Sequence, residues 1–160
     1  VLRHASEAGL FLMIEGGAID WANHSNQAGR LIEEMTDFNY AVEAVIAWVE
    51  ANSNWDETLL IVTGDHETGY LWGPESGEPA TWKPIVDNGA GNMPGAYYYS
   101  GVHTNSLVPF FAKGFGSERF TERAVKTDPH NGLYIDNTDI ARVTFDYYNQ
   151  TAPATKPSYR

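Results

Sequence analysis

The sequence predicts an α/β domain with a largely parallel central sheet flanked by helices. Three features carry that expectation: short apolar runs within 10–15 and 58–67, a long helical apolar period between them, and the alternation of the two kinds of segment along the chain. Strands buried on both faces read as continuous apolar runs rather than alternating ones, which assigns these runs to the interior of a parallel sheet.

Taken in order, "LFLMIE" (10–15) reads as a strand that ends at Gly16-Gly17, where the chain can turn tightly. Ala28, Leu31, Ile32, Met35, Val42, Val45, Ile46 and Val49 then recur at three- and four-residue steps, the single apolar face of a long helix. "NSNWDE" breaks that helix. "TLLIVTGDHE" (58–67) is a second buried strand running directly into Asp65 and His66. Residues 67–102 are rich in Gly, Pro and aromatics and keep no period, as a long functional loop or insertion would. "LVPFFAKG" (107–114) reads as a third strand. In "NTDIARVTFDYYN" (137–149), Ile140, Val143 and Tyr147 share one helical face, with Asp136 or Asn137 as N-cap. The domain is expected over 1–150, followed by a loose tail at 151–160. No internal repeat is present. The opening "VLRHASEAG" has helical character and no initiator Met, as a chain cut from something longer would.

Composition removes several classes of function. With 160 residues, 42% of them hydrophobic, the chain can bury a core. Its net charge of −11, from 21 acidic against 10 basic residues, argues against nucleic acid, whose phosphates need Lys and Arg. The absence of cysteine excludes disulfides and thiolate zinc fingers. No apolar run approaches the roughly 20 residues of a membrane span, and the N-terminus shows no signal-peptide pattern.

Ligands in open α/β sheets bind beyond the carboxyl ends of the strands, and two of the predicted strands end in metal-binding residue types. After the first come Glu15, Asp20 and His24; after the second come Asp65 and His66; His103 stands just before the third. If Asp20 opens a helix, its side chain and that of His24 emerge on one face a turn apart. A carboxylate and an imidazole so placed suit zinc, with His103 as the natural third donor. Glu15 is a hard oxygen donor better matched to magnesium. Asp65 and His66 would diverge in an extended strand but can face one ion where the chain bends. Each signal alone has a blander reading: a solvated helix start, a helix cap, a surface histidine, or a carboxylate bonded to a turn. Their convergence on one sheet edge favours a metal site. His4 and His130 lie in polar surroundings without a partner pattern and are read as non-ligands.

These segments resemble the alkaline phosphatases. "EGGAIDWANH" is similar to that family's E-G-x-x-I-D-x-x-x-H segment, "LIVTGDHETG" to its V-T-x-D-H strand end, and "GVHTNSLVPFFAKG" to its H-T-x-x-x-V-P segment. The resemblance runs from about Gly9 to Tyr148 and implies the C-terminal portion of an alkaline-phosphatase-type fold. It also implies two zinc ions and one magnesium ion. Asp20, His24 and His103 would hold the first zinc, Asp65 and His66 would supply the second, and Glu15 would bind the magnesium. Such a set serves phosphate monoester hydrolysis, which rests on positioning and charge stabilisation. Trp21, beside Asp20, departs from the Lys or His of several members; it is either a packing aromatic or a change in the surroundings of the metals.

The family's Ser or Thr nucleophile, bridging aspartate and phosphate-clamping arginine have no counterpart here. Ser25, Ser100 and Ser106 lack the nucleophile's signature, Thr63 is expected to be buried inside a strand, and Arg30, Arg119 and Arg123 carry no linking motif. The chain is therefore expected to supply metal ligands to an active site completed by an N-terminal portion of the same enzyme. The alternatives are a related phosphodiesterase or mutase of the superfamily, and a non-catalytic metal-binding module. The resemblance further implies a homodimer in the periplasm or outside the cell.

Overall fold

The computed structural model describes residues 9–77 and 81–151; of the tail expected at 151–160, Thr151 is the last residue of a helix, and the rest, like His4, lies outside the described residues. Two helices open the fold, α1 (Ala18–His24) and the long α2 (Ala28–Asn52). The strand β1 (Leu59–Thr63) follows. Short strands β2 (Glu67–Thr68), β3 (Leu71–Trp72), β4 (Tyr97–Tyr98) and β5 (His103–Thr104) come next, then β6 (Phe110–Gly114). The chain closes with α3 (Glu118–Arg123), the hairpin of β7 (Lys126–Asp128) and β8 (Gly132–Tyr134), and α4 (Asn137–Thr151).

The expected largely parallel central sheet is not formed among the described residues. They make four two-stranded sheets, β1–β6, β2–β5, β3–β4 and β7–β8, all antiparallel. Two causes account for the difference. A continuous apolar run marks burial and not strand direction, and β6 in fact alternates between half-buried and exposed positions, as an antiparallel ribbon with one open face does. The run 10–15, expected as a strand, lies outside any ladder; Leu10 to Ile14 are 42–78% exposed. No strand among the described residues lies beside it to satisfy its backbone. Nor is the stretch 67–102 without order, since β2, β3 and β4 all fall in it.

Helix termini follow the sequence closely. Asp136 caps α4 by accepting from the Thr138 N–H at 3.1 Å, and Asp139 reaches back to the Asp136 N–H at 3.1 Å, a reciprocal capping arrangement. α2 ends at Ser53, whose N–H donates to the Val49 carbonyl; Asn54 then accepts from the Asp56 N–H in a short side-chain turn. Among the described residues the buried apolar side chains are few: Ala22, Val49, Phe120 and Val143. Phe120 of α3 lies 4.9 Å from Phe110 of β6, and Phe115 lies 5.0 Å from Tyr147 of α4. Ile32 and Met35 of α2 and Phe111 of β6 remain exposed, as does the 10–14 run, leaving much apolar surface uncovered.

Candidate metal centre

Three elements meet at the site. α1 carries Asp20 and His24 one turn apart, β2 follows the Asp65-His66 bend, and β5 brings in His103. Thr68 and His103 are register partners in the β2–β5 ladder, so the backbone fixes His103 against the start of the second motif. Gly69 continues the clamp: its N–H donates to the Val102 carbonyl at 3.1 Å, and its carbonyl accepts from the Tyr99 and Ser100 N–H groups. Tyr98 anchors the clamp to α1 by donating to Asn23 Oδ1 at 2.9 Å.

Asp20, His24 and His103 come together, with one ligand atom from each within 4.8 Å of the others. His24 Nε2 lies 3.0 Å from His103 Nε2 and 3.5 Å from Asp20 Oδ2, and His103 Nε2 lies 3.5 Å from Asp20 Oδ1. A tetrahedral zinc with bonds of about 2.0–2.1 Å separates its ligand atoms by roughly 3.3 Å, and the observed spacings bracket that figure. His24 Nδ1 lies 2.8 Å from the Gly101 carbonyl, which can only accept. Nδ1 therefore carries a hydrogen, which makes Nε2 the nitrogen that would bind a metal, the arrangement typical of a metal-binding imidazole. The donor set thus fits a zinc ion in number, type and orientation.

Electrostatics support an ionised Asp20. The hydroxyl of Thr68, donating to Asp20 Oδ1 at 2.6 Å, holds this carboxyl below the usual carboxylate range. Partial desolvation opposes the shift, and His24, His103 and His66 add to it.

The second motif lies against the first. The His66 ring stacks on His103 with centroids 3.6 Å apart and planes inclined by 26°. Asp65 and His66 do not point apart: Asp65 Oδ2 comes within 3.3 Å of His66 Nε2, because the chain bends after β1 and Asp65 Oδ1 accepts from the His66 N–H. Glu15 is not brought into the cluster. It stands exposed on the 10–16 segment and makes no hydrogen bond or ion pair among the described residues. Trp21 is 70% exposed, so it does not pack as a core aromatic. Thr63, expected to be buried, is exposed and donates to the Pro109 carbonyl. Arg30 pairs with Glu33 at 2.7 Å, Arg123 with Asp139 and Asp146, and Arg119 lies over the Tyr147 ring. His130 stacks on Trp82 at 5.0 Å, away from the cluster.

Three participants have no motif in the sequence reading. The Gly101 carbonyl has no side-chain signal at all. Thr68 and Glu67 follow the Asp-His pair directly, and the polar run after an apolar strand was the only available hint. Glu67 accepts from Thr104 and from the Leu71 N–H, tying β2 to β5 beside the ligands.

The sequence profile of the alkaline phosphatase family matches residues 2–84, and the chain belongs to that family. It is 43% identical over 61 residues to alkaline phosphatase 3 of Bacillus subtilis, covering 38% of this chain and 13% of that protein. With the repressible alkaline phosphatase of Saccharomyces cerevisiae it shares 41% over 63 residues, 39% of this chain and 11% of the other. The solved alkaline phosphatase of the Antarctic bacterium TAB5 superposes with a TM-score of 0.55 at 30% identity, covering 82% of this chain and 33% of that one. A mutant of the TAB5 enzyme was solved with magnesium bound in its M3 site. The described elements therefore share the alkaline phosphatase fold, and the chain spans about a third of the solved enzyme and a smaller part of the curated relatives.

Proposed function

We propose that the protein carrying this chain hydrolyses phosphate monoesters, and that this chain supplies its metal ligands while the nucleophile, bridging aspartate and phosphate-clamping arginine come from the rest of the enzyme. The observation that carries the reading is the convergence of Asp20, His24 and His103, with the His24 tautomer set by Gly101. Asp20, His24 and His103 would hold one zinc, Asp65 and His66 would contribute to a second, and Glu15 would bind magnesium. Bound there, the ions would lend Lewis-acid charge to the phosphate oxygens and to the attacking and leaving oxygens of an in-line displacement.

The chain's own residues do the positioning. Asp20 offers a carboxylate kept ionised by Thr68, so no proton has to leave it before it can bind a cation. His24 and His103 direct imidazole nitrogens to one point, and the β2–β5 ladder holds the two motifs in fixed relation. The exposed run 10–14 and the open face of β6 supply apolar surface that further chain would cover, and the largely parallel sheet belongs to that complete domain. Trp21 would border the metals from the solvent side. A homodimer in the periplasm or outside the cell accompanies this reading. No helix among the described residues is long and apolar enough to cross a membrane.

Replacing Asp20 by Ala in the complete enzyme lowers zinc content and phosphatase activity together. Full zinc occupancy in that variant would overturn the ligand assignment.

A further inference from the structure

We propose that Thr68 is a positioning residue shared by both metal centres, its single hydroxyl orienting Asp20 in the first and fixing the tautomer of His66 in the second. This rests on the metal reading above and extends it to a residue that ligates nothing.

Thr68 is 5% exposed, and its Oγ1 has two side-chain neighbours. It lies 2.6 Å from Asp20 Oδ1 and 3.2 Å from His66 Nδ1. A hydroxyl has one hydrogen, and an ionised carboxylate can only accept, so that hydrogen goes to Asp20. Toward His66 the oxygen then has only a lone pair to offer. His66 Nδ1 must therefore carry a hydrogen, which leaves the lone pair of Nε2 as the one a metal would take. That lone pair faces Asp65 Oδ2 at 3.3 Å. A divalent ion between those two atoms would take both as donors. The first centre is ordered by the same hydrogen bond, because Asp20 is held with one oxygen toward His24 and the other toward His103. The backbone of Thr68 pairs with His103, so one buried residue touches both motifs and the element that joins them. Partners that orient ligands in this way commonly change metal affinity by about 10- to 100-fold when lost.

The test is cobalt(II) binding to the complete metal-free protein, followed by d–d absorption, for wild type, Thr68→Val and Thr68→Ser. Thr68→Val keeps the shape and removes the hydroxyl; affinity for two cobalt ions falls together, by about 10- to 100-fold, while Thr68→Ser retains wild-type spectra and affinity. Loss at one centre only, no loss, or a Thr68→Ser variant as weak as Thr68→Val would overturn the proposal. A wild-type protein that binds no cobalt would instead overturn the metal reading beneath it. Should Thr68→Val not fold, the nitrogen-15 spectrum of His66 in the metal-free wild type decides: a protonated Nδ1 is expected, and a bare Nδ1 refutes it.

Discussion

Gly69 is the position at which one added methyl group tests the clamp that assembles the site. Its φ is +91°, a region that side-chain-bearing residues enter at a cost of about 1–3 kcal/mol. A Cβ there would also lie 2.7 and 3.0 Å from Cδ1 and Cε1 of Tyr98 and 3.2 Å from the Asn23 carbonyl. The Tyr98 ring cannot step aside freely, because its hydroxyl is bonded to Asn23 on the helix that carries Asp20 and His24. Moving the ring gives up that hydrogen bond, worth about 1 kcal/mol. Gly69→Ala is therefore expected to destabilise the fold by about 2–4 kcal/mol, read from urea unfolding of the complete metal-free protein. Tyr98→Phe, which loses only the hydrogen bond, should cost about 1 kcal/mol. Because Asn23 lies between the two α1 ligands, zinc affinity in Gly69→Ala should fall as well. A Gly69→Ala protein within about 0.5 kcal/mol of wild type, with unchanged zinc affinity, would refute the claim that this clamp sets the site.

Two further outcomes follow from packing and charge. Val143 is wholly inaccessible on α4, so Val143→Ala should cost about 1.5–3 kcal/mol in unfolding free energy. Its zinc affinity should stay unchanged, since α4 gives no group to the centre. The Asp136 carboxyl is held down to about 2 from its ordinary 3.8 by the Thr138 hydroxyl and N–H and by Lys126. Folding thus favours its ionised form, and the stability it contributes is present above the ordinary value and lost as pH falls toward about 2. Asp136→Asn should flatten the acid limb of the stability profile, measured as urea midpoint against pH; an unchanged limb would remove Asp136 from the account.

Local features were the legible ones. The cores of β1 and β6, the length of α2 and the capped start of α4 all follow from nearest-neighbour pattern and side-chain chemistry. Pro109 explains why the third strand begins only at Phe110, since its ring carries no N–H for a ladder. Strand direction was not legible, because β1 is equally apolar whichever way its partner runs. The meeting of Asp20, His24 and His103 was legible only as ligand types at strand ends; the distances come from the β2–β5 ladder, two short strands without a period. Thr68 was invisible for a related reason. A buried threonine signals nothing until its two neighbours, 48 positions back and 2 positions back, are placed around it. Glu15 shows the opposite case, a clear sequence signal on a segment that the described residues leave open.

The two histidines whose nitrogens lie 3.0 Å apart are separated by 79 positions in the chain. Closing a flexible loop of that length costs about 4 kcal/mol in chain entropy, which the β2–β5 and β3–β4 ladders and the Tyr98–Asn23 hydrogen bond offset. The site is thus assembled by contacts of long sequence separation, and such contacts form late. During refolding, helix signal should return well before the capacity to bind zinc. An ion bridging those ends would then act as a latch on the last step, so that the metal-bound protein unfolds more slowly than the metal-free one although both share the same core.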